Sequence, residues 1–197
     1  MRTPGGPPRL TVLAVLGFHL LGCAGLEALL DDEPTPSALA EAAAAERPAG
    51  VPADAEPAIV DRVVDGDTVR VVAAPGGTIE NGGSIRIRLL NVDAPELARD
   101  GRDAECLAEA ATDRVTSLLP SSAVVWLVAD EEDRDRFDRP LRGLWTDEGV
   151  FVNELLAEEG LAEAVLFRPN ARFHDRIVAA ERRAVVAGLG IHGPDCR

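Results

Sequence analysis

The chain has 197 residues and a formal net charge of −14, with 46% hydrophobic and 27% charged residues. That length holds one domain, or one domain and a tail, and the composition is globular rather than disordered. The charge disfavours a passive nucleic-acid binder, which concentrates positive charge to displace counterions, so nucleic acid would have to be met at a local arginine-rich site or through a bound cation.

The first segment is an address. Arg2 and Arg9 form a positive start and Leu10 to Leu21 a mostly apolar run, too short to span a bilayer, so residues 1–22 are expected to be a signal peptide. Leu20-Leu21-Gly22-Cys23 resembles a bacterial lipobox, in which the cysteine is acylated; the alternative is an ordinary signal peptide that contains a cysteine. Acyl chains tether a protein by about 0.8 kcal/mol per buried methylene. The expected location is the surface of a membrane in the bacterial cell envelope, with the membrane held through this N-terminal lipid. Residues 23–57 are rich in Ala, Pro and acids, and Ala38 to Ala45 lacks an apolar stripe that would hold a helix to a core. This stretch is expected to be a disordered, solvated linker.

From Ala58 onward 17 arginines face 26 acidic residues, so residues 58–197 form a domain that is still acidic, at −9. Ile59 to Val64 and Thr68 to Val72 are strands flanking the turn Asp65-Gly66-Asp67. Ile85 to Leu90 alternates apolar residues with arginine, placing Arg86 and Arg88 on one face. Ala104 to Leu119 is expected to be helical, ended by Pro120. Val124 to Val128 and Leu141 to Trp145 are two further strands. Phe151 to Glu159 and Phe173 to Ala187 are helices stopped by Gly160 and Gly188. Trp126 and Trp145 fall on strands and are expected in the core. Five short strands with interleaved helices suggest a small barrel with helical cover. In an oxidising compartment Cys106 and Cys196 can bridge, although spacing alone leaves two free thiols open.

Three clusters carry chemistry: Val64 to Val69 around Asp65 and Asp67, Ile87 to Glu96 around Arg88 and Asp93, and Asp135 to Leu141 around Arg139. Singly they are a turn, a helix cap and a surface ion pair, the acids of 130–135 being neutralised by Arg134 and Arg136. Together they supply two carboxylates for a hard divalent cation, planar forks for phosphate oxygens, and Glu96 to orient or deprotonate a water. That set suits phosphodiester hydrolysis, in which negative charge builds on the phosphoryl oxygens.

In their order, these clusters resemble those of the staphylococcal nuclease (thermonuclease) family, with supporting matches at Val152-Asn153-Glu154, Gly160-Leu161-Ala162 and Arg168-Pro169-Asn170. The resemblance implies an α+β, mainly β, OB-fold barrel of five strands with three helices. It implies Ca²⁺-dependent endonuclease or phosphodiesterase action on DNA or RNA, with water attack and 3′-phosphate products. On the matching positions, Asp67 and Asp93 ligate Ca²⁺ and Ala94 does so through its carbonyl. Arg88 and Arg139 grip the scissile phosphate, Glu96 is the general base, and Asp65 stands behind the cation. Ala94 departs from a family threonine and Asp138 from a glycine, while Phe137, Leu166 and Phe167 occupy regions where the family has tyrosines. These departures imply weak binding of the DNA or RNA substrate. The alternative function is a catalytically idle OB-fold binding module of the envelope; no protein partner is inferred.

Overall fold

Period-two patterning produces five strands that close on themselves. In the computed structural model, which describes residue 1 and residues 34–79 and 83–196, β1 (Glu56–Val63), β2 (Thr68–Ala73) and β3 (Ile85–Leu89) form an antiparallel meander. Strands β5 (Val124–Val128) and β6 (Leu141–Thr146) complete the barrel in the order β1-β2-β3-β6-β5, with β5 pairing back onto β1. The β3–β6 contact is parallel, which sets Arg88 against Leu141 and Leu89 against Arg142. Two short strands outside the barrel, β4 (Val92–Asp93) and β7 (Glu163–Ala164), pair with each other. The signal segment and the lipobox cysteine Cys23 lie outside the described residues. The chain divides into two compact units, residues 1–31 and 32–197; the second carries everything below.

Four helices cover the barrel: α1 (Pro36–Ala44), α2 (Ala108–Leu118), α3 (Val152–Glu158) and α4 (His174–Ala187). The inward faces of β2 and β3 bury Val69, Val71, Ile87 and Leu89 completely, each such side chain contributing about 1.5–3 kcal/mol on removal from water. Trp126 and Trp145 are buried as expected, and Trp145 stacks on Phe151 at 4.1 Å and meets Phe173 edge-on at 5.4 Å. Buried Asn153 ties three strand segments together: Oδ1 accepts from Leu144 N at 3.0 Å, while Nδ2 donates to the carbonyls of Leu90 (2.8 Å) and Arg142 (3.4 Å). With no water to replace it, this side chain meets the obligation of those backbone groups to hydrogen bond.

Two expectations are corrected. The described part of the supposed disordered linker, residues 34–57, is packed on the domain. Thr35 caps α1 by accepting from Ala38 N, Ala42 is buried, Val51 joins the core, and Asp54 pairs with Arg172 at 2.6 Å. The seating residue is a small alanine rather than a large apolar stripe, so the usual hydrophobic signal is missing. The barrel itself starts at Glu56, whose carboxylate accepts from Thr78 N. The second correction concerns α2, which starts at Ala108 rather than Ala104. Glu105 N donates to Glu96 O and Leu107 takes the left-handed conformation (φ 66°), both incompatible with continuing the helix upstream. Cys106 is bridged to Cys196, with a Cα–Cα distance of 5.6 Å.

Candidate active site

The site begins with the β1–β2 turn. Val64 N donates to Thr68 O at 2.9 Å, and Asp65 Oδ1 accepts from Asp67 N at 3.2 Å, the side-chain turn that aspartate favours. Asp67 is thereby turned inward, where its Oδ2 accepts from Ala94 N at 2.8 Å and ties the turn to the loop after β4. Gly66 is required by proximity: a Cβ there would stand 2.6 Å from Ala94 Cβ and 2.9 Å from Ala111 Cβ. Leu89 N donates to Asp67 O at 2.8 Å, so the same turn is also fixed to the end of β3.

Arg88 projects from β3 opposite the barrel interior, yet it is 6% exposed because the β4–β7 ribbon and Phe167 cover it. Its Nη2 lies 2.6 Å from Asp93 Oδ1 and 3.0 Å from Asp67 Oδ2, so two carboxylate oxygens converge on one cationic atom. Its Nη1 donates to the carbonyls of Leu89 (3.0 Å) and Val92 (2.7 Å). Burial pushes the Asp67 carboxyl up to about 6, against the opposing pull of Arg88 and the Ala94 N–H.

That shift has a testable consequence. With a folded value above the ordinary 3.8, the native state prefers protonated Asp67. The resulting stabilisation is complete below the unfolded value and is lost as pH rises through about 6. In chelator, Asp67→Asn, which is permanently neutral, should therefore gain on wild type between pH 4 and pH 7, by on the order of 2 kcal/mol. Urea midpoints measured across that range check it; a wild-type-to-variant difference independent of pH would sink it.

Arg139 arrives from 50 residues downstream through the parallel β3–β6 ladder, in which Arg88 N donates to Pro140 O at 2.9 Å. Asp135 organises the loop before it: Oδ1 accepts from Phe137 N and Arg139 N, both at 2.9 Å, and Oδ2 from Arg139 Nε at 2.7 Å. Burial, the largest single influence, would raise the Asp135 carboxyl, but the bonds from Arg139 and Phe137 together outweigh it and hold it below the usual range. With Nε engaged, both Nη groups of Arg139 are left to the cleft. Asp138 has φ 63°, the left-handed region where glycine is at ease and aspartate is tolerated, so it preserves the turn. Its carboxylate faces Arg134 at 3.5 Å. The acids of 130–135 are not neutralised by Arg136, which stacks on Phe137 at 4.7 Å and makes no ion pair among the described residues. Asp133 instead pairs with Arg142 at 2.6 Å, and Asp135 with Arg139.

A cleft of about 610 Å³ opens over Arg88, Asp93 and Arg139, walled by Arg136 and Phe137 on one side and by Leu166, Phe167 and Arg168 on the other. Asp65, Asp67, Arg88, Asp93, Ala94 and Arg139 are thus gathered at this mouth. Glu96 is not among the residues lining it. It is exposed on the following loop, where its backbone N donates to Glu105 Oε2 at 2.9 Å, and its own carboxylate takes no hydrogen bond among the described residues. Sequence reasoning gave no role to Asp135, Asn91 or Asn170. Asn91 Nδ2 donates to the carbonyls of Val165 and Asn170, and Asn170 exchanges two hydrogen bonds with the Glu132 backbone, so the pair holds both cleft walls. The one available signal was Asp135 standing two and four residues before the amides it binds, the spacing of an aspartate turn.

The chain matches the model of the family described as "Staphylococcal nuclease homologue" over residues 86–192. It is 34% identical over 125 residues to a thermonuclease of Staphylococcus hyicus, covering 64% of this chain and 69% of that one. A thermonuclease of Staphylococcus intermedius is 32% identical over 133 residues, covering 68% and 74% respectively. Endonuclease YncB of Bacillus subtilis is 34% identical over 134 residues, covering 67% and 59%.

Proposed function

The chain belongs to the staphylococcal nuclease family and is a nuclease, and we propose that it hydrolyses DNA or RNA phosphodiesters with calcium at Asp67, Asp93 and Ala94. The observation that carries this reading is the convergence of Asp67 Oδ2 and Asp93 Oδ1 on Arg88 Nη2, beside the open fork of Arg139. Hard carboxylate oxygens suit calcium, which takes six to eight oxygen ligands. No third His, Cys, Asp or Glu joins them among the described residues, so the Ala94 carbonyl and water would complete the shell. When bound, the cation supplies charge stabilisation at the phosphoryl oxygens.

The remaining work falls to side chains of this chain. Arg139 presents two Nη groups to non-bridging phosphate oxygens, a bidentate match. Arg88 turns Nη2 from Asp93 to a phosphoryl oxygen, exchanging one anionic partner for another. Glu96, exposed and without an acceptor role in the fold, takes a proton from the attacking water as the bond to the 5′ oxygen breaks. Phe137 and Phe167 offer ring faces but no hydroxyl, in keeping with weak substrate binding. The reading includes attachment to the cell-envelope membrane through a lipid on Cys23, supported by the lipobox-like run Leu20 to Cys23. One observation favours the second reading, an idle binding module: all four of Arg88's Nη contacts are already taken within the protein.

The two readings separate in one assay. Incubated with single-stranded DNA at low salt, the full chain should cut it in calcium and not in chelator, leaving 3′-phosphate ends. No cleavage in calcium, or equal cleavage in chelator, overturns the proposal.

A further inference from the structure

Next to the catalytic cleft lies a second hollow of about 560 Å³, and the two share Phe137 and Arg139 as a common ridge. Its wall is more positive than that of the cleft. Arg86, Arg99, Arg134 and Arg139 face it against one acid, Asp138, whereas four arginines in the cleft meet Asp93, Glu132 and Asp135. This concentration occurs in a chain of net charge −14. The three arginines private to the hollow come from three separate segments. Arg86 is the exposed residue of β3, on the same face as Arg88. Arg99 stands at the base of a two-residue turn, Asp100-Gly101, both with positive φ (52° and 78°), closed by reciprocal Arg99–Arg102 backbone bonds of 3.2 and 3.0 Å. Arg134 is steadied by Asp138 O at 3.0 Å and lies in the loop that ends at Arg139.

Converging like charges from three segments raises the free energy of the fold unless an anion compensates it. The local acids do so only loosely. Arg99 reaches Asp65 at 3.7 Å, Arg134 reaches Asp133 and Asp138 at 3.4 and 3.5 Å, and Arg86 has no carboxylate within ion-pair distance among the described residues. The across-strand neighbour of Arg86, Arg70, is by contrast bonded to Ser84 and paired with Asp61.

Resting on the nuclease reading above, we propose that this hollow is a flanking-phosphate subsite. Arg86, Arg99 and Arg134 bind a backbone phosphate of the substrate strand beyond the one gripped by Arg88 and Arg139, with the strand passing over Phe137. The ligand class is a nucleic-acid phosphodiester, and the consequence is a preference for an internal bond in a longer strand over the single bond of a dinucleotide. This subsite offsets part of the repulsion between an acidic domain and a polyanion.

The test uses the full chain in calcium, with two substrates: a thymidine dinucleotide, which has one phosphodiester, and a labelled single-stranded oligonucleotide. The double variant Arg86→Ala/Arg99→Ala should lose about tenfold in kcat/KM on the oligonucleotide, through KM, and leave the dinucleotide unchanged. Its salt dependence on the oligonucleotide should be shallower by about 1–1.5 in log–log slope, one phosphate contact being worth about 0.7–1. Arg182→Ala, a remote exposed arginine on α4, controls for net charge and should move neither. Equal losses on both substrates, or no loss on the oligonucleotide, overturn the subsite. If wild type cuts neither substrate, the nuclease reading fails, and fluorescence anisotropy with the same oligonucleotide decides the subsite separately. Weaker binding by the double variant upholds it, and equal binding removes it.

Discussion

Arg88→Ala should abolish most of the catalysis, with kcat/KM on single-stranded DNA falling about 10³-fold or more, while Glu96→Gln should give a rate loss of about 10²–10⁴-fold. The two variants differ in what they do to the fold. Arg88 is the shared partner of Asp67 and Asp93, and both it and Asp67 are buried, so its removal leaves an uncompensated carboxylate inside the protein. Breaking such a pair costs roughly 3–5 kcal/mol. Glu96 is exposed and its carboxylate is unbonded among the described residues, so Glu96→Gln should unfold at the wild-type denaturant concentration. Arg88→Lys separates charge from geometry at the same site. It keeps a cation for Asp67 but loses the planar fork, so stability should largely return while activity stays low. Activity assays paired with circular dichroism in urea measure all three. A Glu96→Gln enzyme that keeps wild-type kcat would remove the general-base role, and an Arg88→Lys enzyme with full activity would remove the fork.

Reduction of the Cys106–Cys196 bridge should lower stability by about 4 kcal/mol. The bond spans 90 residues, and closing a loop of that length removes conformational freedom from the unfolded chain. For a domain of this size the thermal midpoint should fall by roughly 10 °C in reductant. Cys196→Ser should show the low midpoint whether or not reductant is present. The bridge also pins the segment before α2, where Glu105 and Glu96 exchange hydrogen bonds: Glu105 N to Glu96 O, and Glu96 N to Glu105 Oε2, both 2.9 Å. Loss of activity at temperatures where the reduced protein is still folded would therefore report loosening of the Glu96 loop. A midpoint insensitive to reductant would show that the unfolded chain is not restrained by this link.

Much of the barrel and the candidate site was legible because it depends on local patterns. The alternation Ile85-Arg86-Ile87-Arg88-Leu89 states which face is buried, and Asp65-Gly66-Asp67 between apolar runs states where the chain reverses. Gly160 and Gly188, both with positive φ, end α3 and α4 where expected. The three clusters that identify the family are likewise contiguous stretches whose residue types name their chemistry.

What the tertiary structure decided is the set of partners. Strands β4 and β7 are two residues long, with no periodicity to detect, yet their pairing places Asp93 beside Arg88. The parallel β3–β6 contact that carries Arg139 to Arg88 joins residues 50 positions apart, and loop closure over such distances leaves no trace in local composition. The strap at 34–55 seats through Ala42, a residue too small to register as a hydrophobic signal. Sequence alone thus determined the kinds of group available, two carboxylates, paired arginines and one free glutamate. Long-range packing determined that Arg88 holds both carboxylates, that Asp135 aims Arg139, and that three further arginines meet in a hollow of their own. The physical reason is that residue type and spacing act within a turn or strand, whereas an ion pair depends on where separate segments come to lie.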